Sequence, residues 1–298
     1  MKKEKQKIDL HVHLKSRKEI PRYHAAIPST YCTPEELLEI YDQMEIGRGV
    51  ILPEVTPEGL YGSQSQEEII EVVSQYPDRF SWFCNIDPRA IENSPGTDFT
   101  PWLQYYRERG AKGVGEVTAN LYFDDPKVWN LFSHCEKNRM PVIFHMAAGF
   151  ENTYGLVDDL HLPRLERTLQ AFPTLCFLAH SQTYWAEISR EVDQQSRLVY
   201  PSGPVIPGRV VELMRRYPNL CGDLSAGSGS NAVMRDPAFG YRFLEEFQDR
   251  LYYGTDICSP EDRMPLGAFL DHAVLSGHIS QQAYEKICWG NAQRLLQQ

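Results

Sequence analysis

The sequence predicts an α/β fold: a single (β/α)8 TIM barrel spanning residues 1–298, with inserted loops after strands 1 and 6. Three observations carry this expectation. Eight short β-rich segments recur along the whole chain, each is followed by a longer segment with helical periodicity or capping signals, and their starts lie 29–45 residues apart. That interval is the length of a strand, a loop and a helix. A chain of 298 residues accommodates one such barrel of about 250 residues plus extensions.

The first strand begins near Ile8, where Ile8, Leu10, Val12 and Leu14 alternate with Asp9, His11 and His13. The period of two puts each set on its own face. The apolar set is expected against the helices and the polar set inside the barrel, directed toward its mouth. Residues 15–33 form the first insertion, and Thr33-Pro34-Glu35-Glu36 reads as an N-cap with proline at the first helical position. The second strand starts near Arg48. Tyr76-Pro77 closes the following helix, and the third strand starts near Phe80. The fourth and fifth start near Lys112 and Pro141, and the sixth near Thr174, followed by the second insertion, residues 181–204. Tyr217-Pro218 ends a helix just before the seventh strand near Asn219, which runs into a small-residue loop, and the eighth starts near Arg250. A doubly wound open sheet would carry five or six strands and a glycine fingerprint after the first, and the chain has neither.

Composition narrows the function. A formal net charge of −10 argues against a nucleic-acid partner, since phosphate binding draws on clustered Lys and Arg. No apolar run approaches the ~20 residues of a membrane helix, and the basic opening lacks the apolar core of a secretion signal. The seven cysteines are scattered without CxxC spacing and read as reduced, mostly buried thiols. The expectation is a cytoplasmic protein acting on a small molecule, with a homo-oligomer compatible but unspecified.

A bare His-x-His is most simply a solvated strand face. Here, however, His145 ends the fifth strand, His180 the sixth and Asp256 the eighth, so five such positions converge on one mouth. Imidazole and carboxylate form the ligand set of zinc, manganese or iron. Glu116 ends the fourth strand with two glycines, Gly113 and Gly115, beside it, shares a face with Val114, and is either a metal ligand or a carboxylate that orients a histidine or pairs with a lysine. Asp9, one layer below His11, is expected to hold a structural hydrogen bond, and Asp223 reads as a turn former. Arg17, Arg22, Tyr23, Phe150, Tyr154 and Trp185 fall on the mouth loops, where they could meet an anionic or cyclic substrate or simply pack.

Asp9-Leu-His11-Val-His13, His145, His180, Gly254-Thr-Asp256 and the closing Trp289-Gly-Asn291-Ala-Gln-Arg294 resemble the amidohydrolase superfamily. The resemblance is closest to its amidohydrolase-related branch, which includes aminocarboxymuconate-semialdehyde decarboxylase-like enzymes and dicarboxylate lactonases. It implies one or two divalent ions, zinc foremost with manganese or iron as alternatives. It also implies that His11, His13, His145 and Asp256 are ligands, and that His180 is a second-ion ligand or a free acid/base. Glu116 departs from many members of the branch and resembles the strand-four glutamate of related deoxyribonuclease-like barrels, which leaves the metal count open. The implied activity is hydrolysis of an amide, ester or lactone, with Asp256 taking the proton of an activated water and His180 polarising the carbonyl. A non-oxidative decarboxylase of an aromatic or unsaturated carboxylate is the alternative. A barrel without activity, used only for binding, would be expected to lack these ligands.

Overall fold

The computed structural model describes residues 6–18, 29–59, 64–151 and 153–297. Eight parallel strands pair in sequence order: Lys7–Val12, Ile46–Ile51, Phe80–Cys84, Ala111–Val117, Val142–Ala147, Phe177–His180, Leu220–Asp223 and Leu251–Tyr252. The ring closes between the last and the first. Leu10 N–H donates to the Tyr253 carbonyl at 3.0 Å, Asp256 N–H to His11 at 2.8 Å, and His13 N–H to Ile257 at 3.0 Å. A two-residue strand, Leu156–Val157, pairs outside this ring with the fifth strand. The barrel expected from the sequence is therefore present. The sixth strand starts three residues later than expected, at Phe177, because the turn that ends the preceding helix reaches Leu175, whose N–H donates to Phe172.

Two packed layers define inside and outside. Ile8, Leu10, Val50, Leu52, Phe83, Ile143, Leu178, Cys221 and Tyr252 fill the barrel, and Ala292, Leu295 and Leu296 of the C-terminal helix Asn291–Leu296 close its lower end. The fourth strand contributes no bulk there. A Cβ on Gly113 would lie 2.5 Å from the Phe83 ring, so the glycine makes room for a neighbour's aromatic side chain. Val12, Leu14, Ile51, Cys84, Val114, Phe144 and Ala179 point outward into the helical shell with Leu37 and Ile69.

The first strand thus departs from strict alternation. Ile8 and Leu10 pack inside, not against the helices, whereas Val12 and Leu14 do face the helices. Pairing with the second strand is irregular between Asp9 and Val12. Such a bulge lets two consecutive residues, Leu10 and His11, look inward. Asp9 therefore points outward, where its carboxylate accepts from Tyr41 Oη at 2.7 Å and from the N–H groups of Thr255 at 2.8 Å and His11 at 3.1 Å. The structural hydrogen-bond role expected for Asp9 holds, but its place beneath His11 inside the barrel does not. The fourth strand shows the same effect: Val114 faces the helices while Glu116 faces the mouth, with irregular pairing between Val114 and Val117.

Helix ends follow their sequence signals. Thr33 Oγ1 accepts from Glu36 N–H while Glu36 Oε2 accepts from Thr33 N–H, a capping box that starts helix Pro34–Gln43. Tyr76 and Tyr217 cap the C-termini of helices Gln66–Gln75 and Arg209–Arg216. The small-residue stretch after Asp223 is not a loop: it forms helix Ala226–Met234. Tertiary packing overrides weak helix propensity here, because a Cβ on Gly229 would lie 2.3 Å from the Leu224 main chain. The helix can approach the barrel this closely only with glycine at that position.

The first insertion lies partly outside the described residues. The second begins with a short helix, Gln182–Ala186, and then makes an excursion whose two ends meet. Ser189 and Pro207 form an antiparallel bridge, Arg190 N–H donates to Ile206 at 2.9 Å, and Gly208 N–H donates to Ile188 at 2.8 Å. Arg197, wholly buried on this excursion, reaches Glu187 at 3.3 Å and the Asp158 carbonyl at 3.1 Å. Among the described residues no helix is long and apolar enough to cross a membrane.

Candidate metal centre

At the C-terminal mouth the tips of five strands bring together the six candidate metal ligands named from the sequence. His11 and His13 come from the first strand and the residue just beyond it, Glu116 from the fourth, His145 from the fifth and His180 from the sixth, while Asp256 follows the eighth. His145 and His180 are paired across neighbouring strands. Asp256 adopts a left-handed backbone, φ 57°, a conformation costly for a residue with a side chain and concentrated at functional sites.

The hydrogen bonds fix the tautomers. His13 Nδ1 lies 2.9 Å from the Leu52 carbonyl and His11 Nδ1 lies 2.7 Å from Asp223 Oδ2. Both partners only accept, so both Nδ1 atoms carry hydrogen. The bare Nε2 lone pairs of the two rings then face each other at 3.0 Å. Two lone pairs at that distance repel unless a cation, proton or metal, sits against them. Carboxylates surround the gap: Asp256 Oδ1 is 3.5 Å and 3.4 Å from the two Nε2 atoms, and Glu116 Oε2 is 3.7 Å from each.

Glu116 and Asp256 each reach two ways. Glu116 Oε1 lies 2.9 Å from His145 Nδ1 and 3.7 Å from His180 Nε2, while Asp256 Oδ2 lies 3.7 Å from His180 Nε2. Among the described residues three groups of side chains could each hold a metal ion: His11, His13 and Asp256; Glu116, His145 and His180; and His11, His180 and Asp223. Gly115 permits the Glu116 placement, since a Cβ there would lie 2.4 Å from the Ile143 carbonyl oxygen.

The electrostatics match a cation site. Burial opposes charge on His13, but its hydrogen bond to the Asp256 carboxylate and the charges of Glu54, Asp256 and Glu116 push its pKa up to about 9. Burial likewise opposes charge on His180, yet Asp223, Glu116 and Asp256 raise it to about 9. Burial would raise Glu116, but His11, His145 and His180 hold it down at about 2. Asp223 and Asp256 are also held well below the carboxylate range, against burial, by His11 and His180, joined at Asp256 by His13. A divalent ion takes the place of protons in such a cluster.

Asp223 is the residue that sequence reasoning passed over. It is a turn former, accepting from Ser225 N–H at 3.0 Å, but its other oxygen holds His11 at 2.7 Å and lies 3.3 Å from His180 Nδ1. Ser225 Oγ adds contacts of 2.9 Å to His180 and 3.3 Å to His11. Asp223 and Ser225 orient two imidazoles at once. The only sequence signal was the inward phase that Asp223 shares with Cys221.

Of the mouth-loop residues, Trp185 is buried and donates its indole N–H to the Asp223 carbonyl at 2.9 Å, so it supports the site rather than meeting substrate. Arg17 is exposed, and Arg22 and Tyr23 lie outside the described residues. Phe150 is exposed on the rim, 4.8 Å from the Tyr122 ring. Tyr154 lies with its ring 4.5 Å from His145, and its hydroxyl is raised well above the phenol range by burial and by the charges of Glu116 and Asp256. Tyr154 thus borders the mouth, about a third exposed, at 36%. Its loop is pinned by Gly155 N–H donating to Thr118 at 2.7 Å and by the Asn120 amide donating to the carbonyls of Gly149 and Gly155 at 3.2 Å.

Comparison with known proteins agrees with this architecture. The family model described as amidohydrolase matches residues 8–298. A dihydroxybenzoic acid decarboxylase from a Polaromonas species, solved with manganese and 2-nitroresorcinol, superposes with a TM-score of 0.64 at 14% identity, covering 98% of this chain and 97% of its own. A probable 2-pyrone-4,6-dicarboxylic acid hydrolase from Acinetobacter baumannii, solved with citric acid, gives 0.61 at 13% identity, covering 98% and 100%. A 5-carboxyvanillate decarboxylase from Sphingomonas paucimobilis gives 0.61 at 13%, covering 98% and 99%. No curated protein matches the sequence. These identities carry the fold alone. The family match covers nearly the whole chain and takes in every strand tip of the mouth, so the chain belongs to the amidohydrolase family.

Proposed function

We propose that the protein is a metal-dependent hydrolase that cleaves an amide, ester or lactone bond of a small molecule, using two divalent ions of the zinc, manganese or iron type. One observation carries this reading: the two oxygens of Glu116 are divided between the His11/His13 pair and the His145/His180 pair. His11, His13 and Asp256 would hold one ion, His145 and His180 the other, with Glu116 shared. When bound, such ions supply Lewis acidity and bring the pKa of a water from 15.7 toward about 7.

The residues of the chain do the rest. Asp256, ionised at all physiological pH, accepts the proton of the attacking water and returns it to the leaving group. Tyr154 keeps its hydroxyl proton and donates it in a hydrogen bond to the carbonyl oxygen as negative charge grows there. Asp223 and Ser225 hold His11 and His180 in the tautomers that leave Nε2 bare.

A decarboxylase is the second reading, favoured by His180. With a single ion at His11, His13 and Asp256, the His180 imidazole would remain the protonated acid that its surroundings stabilise, able to deliver a proton to carbon. Metal count and reaction class are therefore linked. The test is elemental analysis beside a substrate panel of lactones, esters and amides against aromatic and unsaturated carboxylates, the latter followed by carbon dioxide release. Two ions with hydrolytic turnover support the proposal. One ion with carbon dioxide release moves the assignment to the second reading, and failure to bind zinc or manganese at all refutes both.

A further inference from the structure

Beside the metal centre, the loop after the fifth strand and the excursion after the sixth face each other across an open cleft of about 620 Å³, a size in the range of small-molecule sites. The cleft starts from the centre itself: Ala148 lies three residues beyond His145, and Thr183 three residues beyond His180. Phe150 and Thr153 line it from the loop, Gln194 and Leu198 from the excursion. Tyr154, next to Thr153, has its ring 4.5 Å from His145 and so ties the cleft to the centre. The excursion reaches the mouth as well. A Cβ on Gly227 would lie 2.9 Å from the Tyr200 ring, which therefore rests on the start of helix Ala226–Met234, and the Asp256 charge adds to burial in raising the Tyr200 hydroxyl above the phenol range.

Apolar surface and charge together define what the cleft can take. Phe150 and Leu198 stand 47% and 59% exposed on its two sides, and the exposed side chains of Val199 and Tyr200 continue the apolar surface along the excursion. Large apolar side chains gathered in the open beside a reactive centre mark a binding surface. Among the described residues lining the cleft, the one ionisable side chain is Glu151, an acid. Arg197 is next to Leu198 in the chain, but it is wholly buried against Glu187 and could turn to the cleft only by leaving that carboxylate buried without it. A carboxylate or phosphate of a substrate placed here would lose water, meet no cation from these residues and be repelled by Glu151. An uncharged group would instead gain from leaving water.

We infer that this cleft is the distal subsite for the substrate and that it takes an uncharged aliphatic or aryl group, so that the substrate is an amide or ester with an apolar tail. The inference rests on the hydrolytic reading of the mouth and names the substrate class for it. Leu198 and Phe150 are specificity residues: they hold the tail while the bond to be cleaved lies at the mouth. Each methylene seated between them should improve recognition about fourfold.

The test has one arm without turnover and one with it. Straight-chain alkyl hydroxamates of two to eight carbons, which chelate zinc and are not cleaved, are titrated into the zinc-loaded protein by calorimetry. Affinity should rise about fourfold per methylene until the cleft is filled, and a carboxylate at the end of the longest tail should lower it about tenfold or more. In the second arm, kcat/KM for p-nitrophenyl esters of the same acids should climb in parallel. Leu198 is a surface residue, so its variants keep the fold. Leu198→Ala should cut the affinity ratio of the longest to the shortest hydroxamate about fivefold or more, and Leu198→Lys should reverse the preference between methyl-ended and carboxylate-ended tails. Leu275→Ala, at a still more exposed leucine on helix Leu266–Leu275, should change neither ratio. Affinity that rises with tail length while no ester turns over keeps the subsite and removes the hydrolytic reading. Ester turnover with affinity indifferent to tail length, carboxylate-ended tails bound as tightly as methyl-ended ones, or unchanged ratios in both Leu198 variants would overturn the subsite and leave the hydrolytic reading standing.

Discussion

Replacing Asp223 by Asn tests whether the mouth is organised from behind its ligands. The side chain is wholly buried, is isosteric with Asn, and lies 2.7 Å from His11 and 3.3 Å from His180. The change removes the negative charge that favours the Nδ1–H tautomer of both rings and leaves one acceptor oxygen for two imidazoles. Losing a carboxylate behind a ligating histidine costs about 10–100-fold in metal affinity, or roughly 1.4–2.8 kcal/mol. Because Asp223 serves one histidine from each ligand group, both ions should weaken, and the combined loss should exceed that of a change touching a single ring. The assay is competition with a chromophoric chelator, each variant's metal content being read by elemental analysis. The Ser225 hydroxyl is a weaker partner of the same rings, so Ser225→Ala should follow in the same direction with a smaller loss. If Asp223→Asn folds, as judged by an unchanged circular dichroism spectrum, and binds both ions as tightly as the parent, the role assigned to this carboxylate is refuted.

Glu116→Gln should leave the His11, His13 and Asp256 group able to bind and lower the stoichiometry from two ions to one, read by elemental analysis after dialysis. A retained pair would show that Glu116 is not shared. Tyr154→Phe should lower kcat by about 10²–10³-fold with metal content unchanged, the usual loss for one donor to a developing oxyanion; an unchanged kcat would remove Tyr154 from the mechanism. Metal-stripped protein should lose stability as pH rises. His13 and His180 have folded pKa values of about 9, above the ordinary value of 6.5, so their contribution is full below pH 6.5 and lost as pH passes through about 9. That contribution is on the order of 3 kcal/mol per histidine. Thermal unfolding of stripped protein across this window should show the decline, the zinc-loaded protein should not, and a flat profile for both would contradict the cation-site reading.

The barrel was legible because the strand-to-strand interval is set by chain geometry and repeats eight times, which chance composition does not imitate. The mouth was legible for the same reason: His145, His180 and Asp256 each end a strand, and in a barrel strand ends meet. What stayed hidden depended on local irregularity. Strict alternation assigned Leu10 and Asp9 to the wrong faces, because a bulge that changes the phase leaves no mark on residue type. Asp223 was hidden by its company. Glycine, serine and alanine after it suggest a turn, and only the packing of Gly229 on Leu224 explains why the stretch is helical and why Asp223 is carried beneath two histidines. For Trp185 loop position left two roles open, meeting substrate or packing, and the structure shows packing, behind the mouth.

The pinched excursion between Ser189 and Pro207 has an engineering consequence. Its ends already touch through main-chain hydrogen bonds, so what lies between them is chain whose length the barrel does not have to measure. Extending a closed loop costs only about 0.6 kcal/mol per doubling, and the Glu187 side of the Arg197 anchor belongs to the stem rather than to the excursion. Segments of different length can therefore be spliced between Arg190 and Ile206 provided that Arg197 is kept, because without it Glu187 would be left buried beside no cation. The molecule offers a cassette beside its mouth, open to exchange around one fixed arginine at a point where the fold is already tied off.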